Sequence, residues 1–164
     1  MAMRHRKREV EAPAPTGPAR VLVVHDDPDG CELLVRILSR AGYPVDRAHD
    51  YEQMVGRLAD EPRCVVLDVS AGGIGANLKL LDAVRNSTNS AVSGSRVVLI
   101  VTATSNTMFS WQAGIDGLLH RPFHADDLVL AVAEVLGRPE EERAPHRRRM
   151  VEAARIGERG EPAG

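Results

Sequence analysis

Three short apolar runs, each stopping on a polar residue, constrain this chain more than anything else in it. Val21 to Val24, Cys64 to Leu67 and Val97 to Val101 are continuous rather than alternating. Strands buried on both faces read this way. Helical patterns lie between them. Asp27-Pro28 has the form of an N-cap followed by proline at the first helical position, Leu33, Leu34, Ile37 and Leu38 recur at helical spacing, and Gly42 supplies the stop. A short strand is expected at 44–48. Asp50 with Gln53 three residues on has capping-box spacing and opens a helix to about Ala59. A glycine-rich loop at 70–76 leads to a helix over 78–86. A helix over 105–113, a strand over 116–120 and a helix over 125–136, stopped by Gly137, complete the order. Strand and helix alternate five times, which predicts an α/β fold with five parallel strands and helices on both faces of the sheet.

In such sheets the ligand site lies beyond the carboxyl ends of the strands. The residues there are His25, Asp26, Asp27, Asp68, Thr102 and Arg121. Carboxylates, a hydroxyl and a cation converging on one rim suit metal-assisted phosphoryl chemistry. Hard oxygens hold Mg²⁺, a carboxylate attacks phosphorus, and donors neutralise the transferred group.

The segments VLVVHDDP (21–28), VVLD (65–68), VLIVTA (98–103) and AGIDGLLHRPF (113–123) resemble the receiver domain of two-component response regulators. The resemblance covers essentially all of 21–137 and implies a (βα)5 doubly wound, flavodoxin-like fold. It implies that Asp68 is the phosphoacceptor, that Thr102 is the switch hydroxyl and that Arg121 contacts the phosphoryl group. Asp26, Asp68 and the Ser70 carbonyl would hold Mg²⁺. A histidine kinase or phosphotransfer protein would be the donor. The face made by the fourth helix, fifth strand and fifth helix would serve a homodimer or an effector protein.

The departures from that pattern cluster at the same rim. Receivers carry two acids after the first apolar run, and here the first is His25. Imidazole is a poor magnesium ligand, so weakened Mg²⁺ affinity is expected. A zinc site on His25, Asp26 and Asp68 is the alternative, since imidazole suits that metal. Arg121 stands where the family has lysine, keeping the charge but adding a planar fork. Ala71-Gly72 replaces the usual Met-Pro, and Leu118 replaces the aromatic partner of the switch hydroxyl. Asp27 reads as the helix cap, His120 faces away from the site by strand alternation, and His124 caps the last helix.

Composition limits what else the chain can do. There is no run of apolar residues long enough to span a membrane. The basic start, MAMRHRKREV, has no apolar segment behind it and is not read as a secretory signal. Cys31 and Cys64 make no disulfide framework, and a cytoplasmic location is expected. Five aromatic residues are too few for a base-stacking platform. LDVSAGGIG looks superficially like a methyltransferase nucleotide loop, but no acidic residue follows at the required place. Charge is unevenly spread: residues 1–20 carry net +3, 138–164 net +1, and the middle net −6.

The expected organisation is a disordered basic arm at 1–19, a receiver-like domain at 20–137, and a charged, mostly disordered tail at 138–164 in which part of 146–156 can form a short surface helix. No DNA-binding output domain is expected in that tail. The expected function is that of a stand-alone phosphoryl acceptor and switch rather than an enzyme on small molecules. The alternative is a degenerate pseudo-receiver acting through phosphorylation-independent protein contacts.

Overall fold

The computed structural model describes residues 19–70, 73–102 and 107–160. The basic arm and residues 71, 72 and 103–106 lie outside them, so the expectations for that arm and for the Ala71-Gly72 replacement have no structural counterpart here.

The five strands are β1 (Val21–His25), β2 (Val45–Ala48), β3 (Cys64–Asp68), β4 (Arg96–Val101) and β5 (Gly117–His120). They form one parallel sheet in the order β2-β1-β3-β4-β5. Apart from a single turn at Ser90–Ser93, the helices are α1 (Pro28–Arg40), α2 (Tyr51–Arg57), α3 (Gly73–Arg85), α4 (Thr107–Ala113), α5 (Ala125–Gly137) and α6 (Glu140–Gly160). The expected alternation is therefore present. The apolar runs form the buried centre, with β1, β3 and the middle of β4 fully buried. Two cores flank the sheet. Leu22, Val24, Leu67, Leu99, Met54, Leu81 and Trp111 pack on the side of α2, α3 and α4. Val23, Val66, Ile100, Leu34, Leu38, Leu128 and Val132 pack on the side of α1 and α5.

Local signals account for the helix boundaries. The Asp27 side chain accepts from the Gly30 N–H at 2.8 Å, with Pro28 opening α1. Gly42, at φ +101°, ends that helix in a conformation disfavoured for any side chain. Asp50 accepts from the Gln53 N–H at 2.8 Å, while the Gln53 amide oxygen accepts from the His49 N–H. At α5, His124 occupies the N-cap position and Asp127 accepts from its N–H at 2.9 Å.

Two boundaries differ from the sequence reading by more than two residues. Helix α3 starts at Gly73, five residues early. The buried Asn77 explains the tight approach: its amide accepts from the Val69 N–H and donates to the Val69 carbonyl, closing the loop against the end of β3. The larger difference is the tail. Where a mostly disordered segment was expected from 138, α6 runs for 21 residues and lies along α4. A search for apolar periodicity misses it because arginines occupy the inward stripe. Arg143, Arg147, Met150, Val151 and Ala154 fall at helical spacing and are buried or half-buried.

Candidate functional site

The parallel register brings the expected residues together at the carboxyl rim. His25 is paired with Asp68 across β1 and β3. Arg121 follows β5, and its backbone N–H donates to the Val101 carbonyl at 2.8 Å, placing its side chain over the end of β3. The Arg121-Pro122 peptide is cis.

Asp68 is 1% exposed. The Arg121 guanidinium grips it with both arms: Nη1 donates to Oδ1 at 2.8 Å and Nη2 to Oδ2. A fork-to-fork pair of this kind is the geometry arginine offers and lysine does not. The His25 Nε2 lies 3.3 Å from the same Oδ2. Its other nitrogen, Nδ1, accepts from the Asp27 backbone N–H at 3.1 Å. In the neutral ring that bond puts the imidazole hydrogen on Nε2. His49 fixes the backbone beneath by donating from Nδ1 to the His25 carbonyl at 3.0 Å.

The ring has room only because residue 30 is glycine. A Cβ there would sit 2.5 Å from His25 Nε2 and 2.8 Å from Cε1. The exchange of an acid for His25 and the glycine in the first turn of α1 are thus one steric unit. Sequence reasoning weighed His25 and missed Gly30. The available signal was a glycine at the third helical position, which costs helix stability and calls for a steric reason.

Asp26 turns toward Ser70: its Oδ1 accepts from the Ser70 N–H at 3.2 Å and from the Ser70 hydroxyl at 3.3 Å. Thr102 is exposed and lines, with His25, Gly30 and Arg121, one wall of a 620 Å³ cavity. Leu33, Ile37 and Phe123 form its apolar side. His120 is exposed at the end of β5.

These residues do not fit the magnesium that the resemblance implies. The ion requires a nearly octahedral set of oxygens and gives up water reluctantly. Here both Asp68 oxygens are engaged by Arg121, the Asp26 Oδ1 by Ser70, and an imidazole stands 3.3 Å from the carboxylate where an oxygen ligand is needed. No cluster of three or more His, Cys, Asp or Glu poised for a metal exists among the described residues. The zinc alternative meets a similar obstacle, because the His25 Nδ1 already accepts from the Asp27 N–H and both Asp68 oxygens are held by Arg121.

A second buried carboxylate sits at the opposite rim. Asp116, just before β5, is 2% exposed. Arg143 donates to it from Nε at 2.9 Å and Nη2 at 3.1 Å, Arg147 from Nη2 at 2.9 Å, and Arg85 from Nη2 at 2.8 Å. The Val97 N–H donates to Oδ2 at 2.9 Å. Burial pushes the Asp116 carboxyl up, but Arg143, with Arg147 and Arg85, outweighs it and holds the group below its usual range. Burial pushes Arg85 down to about 10, partly offset by Asp116. The surplus positive charge is solvated by carbonyls: Gly114, Ser93 and Ser95 accept from Arg85, Gly94 and Ser95 from Arg143, and Ile115 from Arg147. None of this network was foreseen from the sequence.

The comparisons agree with the fold. The family model for the response regulator receiver domain matches residues 21–133. The uncharacterized transcriptional regulatory protein YrkP of Bacillus subtilis is 34% identical over 122 residues, which span 73% of this chain and 50% of that protein. The response regulator MprA of Mycobacterium bovis is 32% identical over 130 residues, spanning 76% of this chain and 54% of its own length. The chain therefore spans about half the length of the curated relatives it matches. Among solved structures, a putative response regulator from Chloroflexus aurantiacus has 28% identity and a TM-score of 0.63, covering 74% of this chain and 99% of that one. The chemotaxis response regulator CheY4 of Vibrio cholerae has a TM-score of 0.64 at 23% identity, covering 72% and 98%, and shows the fold alone.

Proposed function

Starting from the fact that this chain belongs to the response regulator receiver domain family, we propose that it serves two-component signalling as a protein-contact module whose acceptor position is held shut. The observation that carries this reading is the state of Asp68. Accepting a phosphoryl group needs a carboxylate oxygen open to in-line attack and a cation on the phosphoryl oxygens. Asp68 is 1% exposed, Arg121 holds both of its oxygens, and the His25 Nε2 lies 3.3 Å from one of them. Its partner in this reading is an effector protein, and it turns over no small molecule. Among the described residues no helix is long and apolar enough to cross a membrane.

The position of Asp68 favours a second reading, in which it accepts a phosphoryl group from a histidine kinase or phosphotransfer protein. Arg121 is already at hydrogen-bonding distance and Thr102 lines the adjoining wall. In that case Arg121 leaves the carboxylate, a freed Asp68 oxygen bonds to phosphorus, and the bond from phosphorus to the donor breaks. Arg121 and Thr102 then contact the transferred oxygens.

Incubation with acetyl phosphate and Mg²⁺, read by intact mass, separates the two. The closed reading expects an unmodified chain. A single phosphoryl adduct that disappears in Asp68→Asn overturns it and supports the second.

A further inference from the structure

The 620 Å³ cavity at the carboxyl rim runs between α1 and α5, and its wall and its mouth differ in chemistry. The wall is apolar, with Leu33, Ile37 and Phe123, and Leu33 is 55% exposed. The mouth is acidic. Gly30 and Ala125 line the cavity, and their chain neighbours Asp29 and Asp126 are exposed acids in the first turns of the two helices. Neither acid has an ion-pair partner among the described residues. The nearby cations are committed elsewhere, Arg121 to Asp68 and Arg36 to Glu32. Acids in a first helical turn also suit the helix dipole. That accounts for the charge but not for the open apolar wall beside it.

We infer that this cavity is the seat of the chain's own basic segment, residues 1–8, which lie outside the described residues. The sequence of that segment is complementary to the seat. Arg4, Arg6, Lys7 and Arg8 match the acids at the mouth, and Met1 and Met3 stand just ahead of them. Methionine is unbranched and fills irregular apolar gaps. The tether is long enough. Ten residues, Glu9 to Pro18, separate Arg8 from Ala19, where the described chain begins at the amino rim. Extended, they span about 33 Å. Strand β1 crosses from the amino rim to the carboxyl rim in five residues, about 17 Å. A tether of that reach holds the segment at about millimolar effective concentration, so a contact too weak for a free ligand is mostly made within the chain. The seat lies beside Asp68 and not on it, so the inference stands under either reading of that residue.

The test uses two forms of the full chain, wild type and a variant with Arg4→Glu, Arg6→Glu, Lys7→Glu and Arg8→Glu. Amide NMR compares them, and a synthetic peptide of residues 1–12 is titrated into each. The strand amides are expected to coincide, while those of Leu33, Ile37 and Phe123 differ. The peptide is expected to bind the variant saturably and to return those amides toward their wild-type positions. It should bind wild type at least about tenfold more weakly, because the tethered segment competes. Adding Asp29→Asn and Asp126→Asn to the variant should weaken the peptide by about threefold to tenfold. Coincident Leu33, Ile37 and Phe123 amides in the two forms overturn the inference. So does a peptide that binds both forms equally or neither. Differences that vanish on dilution overturn it as well, since they place the segment of one copy on another.

Discussion

Asp68 and Asp116 lie at opposite rims of one sheet, and both are almost wholly buried. Asp68 is held by a single guanidinium that is 32% exposed, with the His25 imidazole beside it. Asp116 is held by three guanidiniums from two helices, and one of them, Arg143, is itself buried. The lesson is that burial alone does not say how firmly a carboxylate is held. What separates them is whether the counter-charge can leave. Arg121 borders solvent and can swing away, whereas Arg143 and Arg147 can leave Asp116 only if a 21-residue helix leaves with them.

That contrast is broken most directly by neutralising each aspartate. Asp116→Asn strands three arginines around an amide and is expected to cost about 3–5 kcal/mol in denaturant unfolding, as for removal of one partner of a buried ion pair. Asp68→Asn frees Arg121 to turn into water and is expected to cost about 1 kcal/mol or less. Equal losses would remove the distinction.

Acid sharpens the same comparison. The Asp116 carboxyl is held below its ordinary value of 3.8 in the folded chain. Its stabilising contribution is therefore complete above that value, because the unfolded carboxyl protonates first. It is lost as pH falls through the lower folded value. Trp111, met edge-on by His146 of α6, should keep blue-shifted emission at pH 4 and shift red only on further acidification. Release of α6 well above pH 4 would contradict its ionic hold on Asp116.

The carboxyl rim was legible in the sequence and the amino rim was not, for a physical reason. Asp68, Thr102 and Arg121 each follow an apolar strand, and a parallel sheet places all strand ends on one rim without further information. Asp27-Pro28 and Gly42 are likewise local signals, and the α1 boundaries followed from them. The Asp116 network joins residues far apart in sequence: Arg85 lies 31 positions before it and Arg143 27 positions after. A run such as HRRRM carries no mark telling which arginines point inward. The pairing of His25 with Gly30 is intermediate. Both residues are close in sequence, but their contact depends on the angle at which β1 enters α1.

A smaller expected effect comes from Gly30→Ala. The added methyl meets the His25 ring, so strain of about 1 kcal/mol is expected after the gain in helix propensity. In NMR the His25 ring resonances should move, while those of His146 at the far rim stay in place. Unmoved His25 signals would show that the ring does not rest against residue 30.

The central claim is that His25 and Arg121 together close the position where a receiver holds its metal. Titration of Mg²⁺ into wild type and into His25→Asp, followed by isothermal calorimetry, tests it most directly. The account predicts no saturable binding in wild type and measurable binding in His25→Asp, where a second acid joins Asp26. Saturable Mg²⁺ binding by wild type that is lost in Asp26→Asn or Asp68→Asn would contradict it.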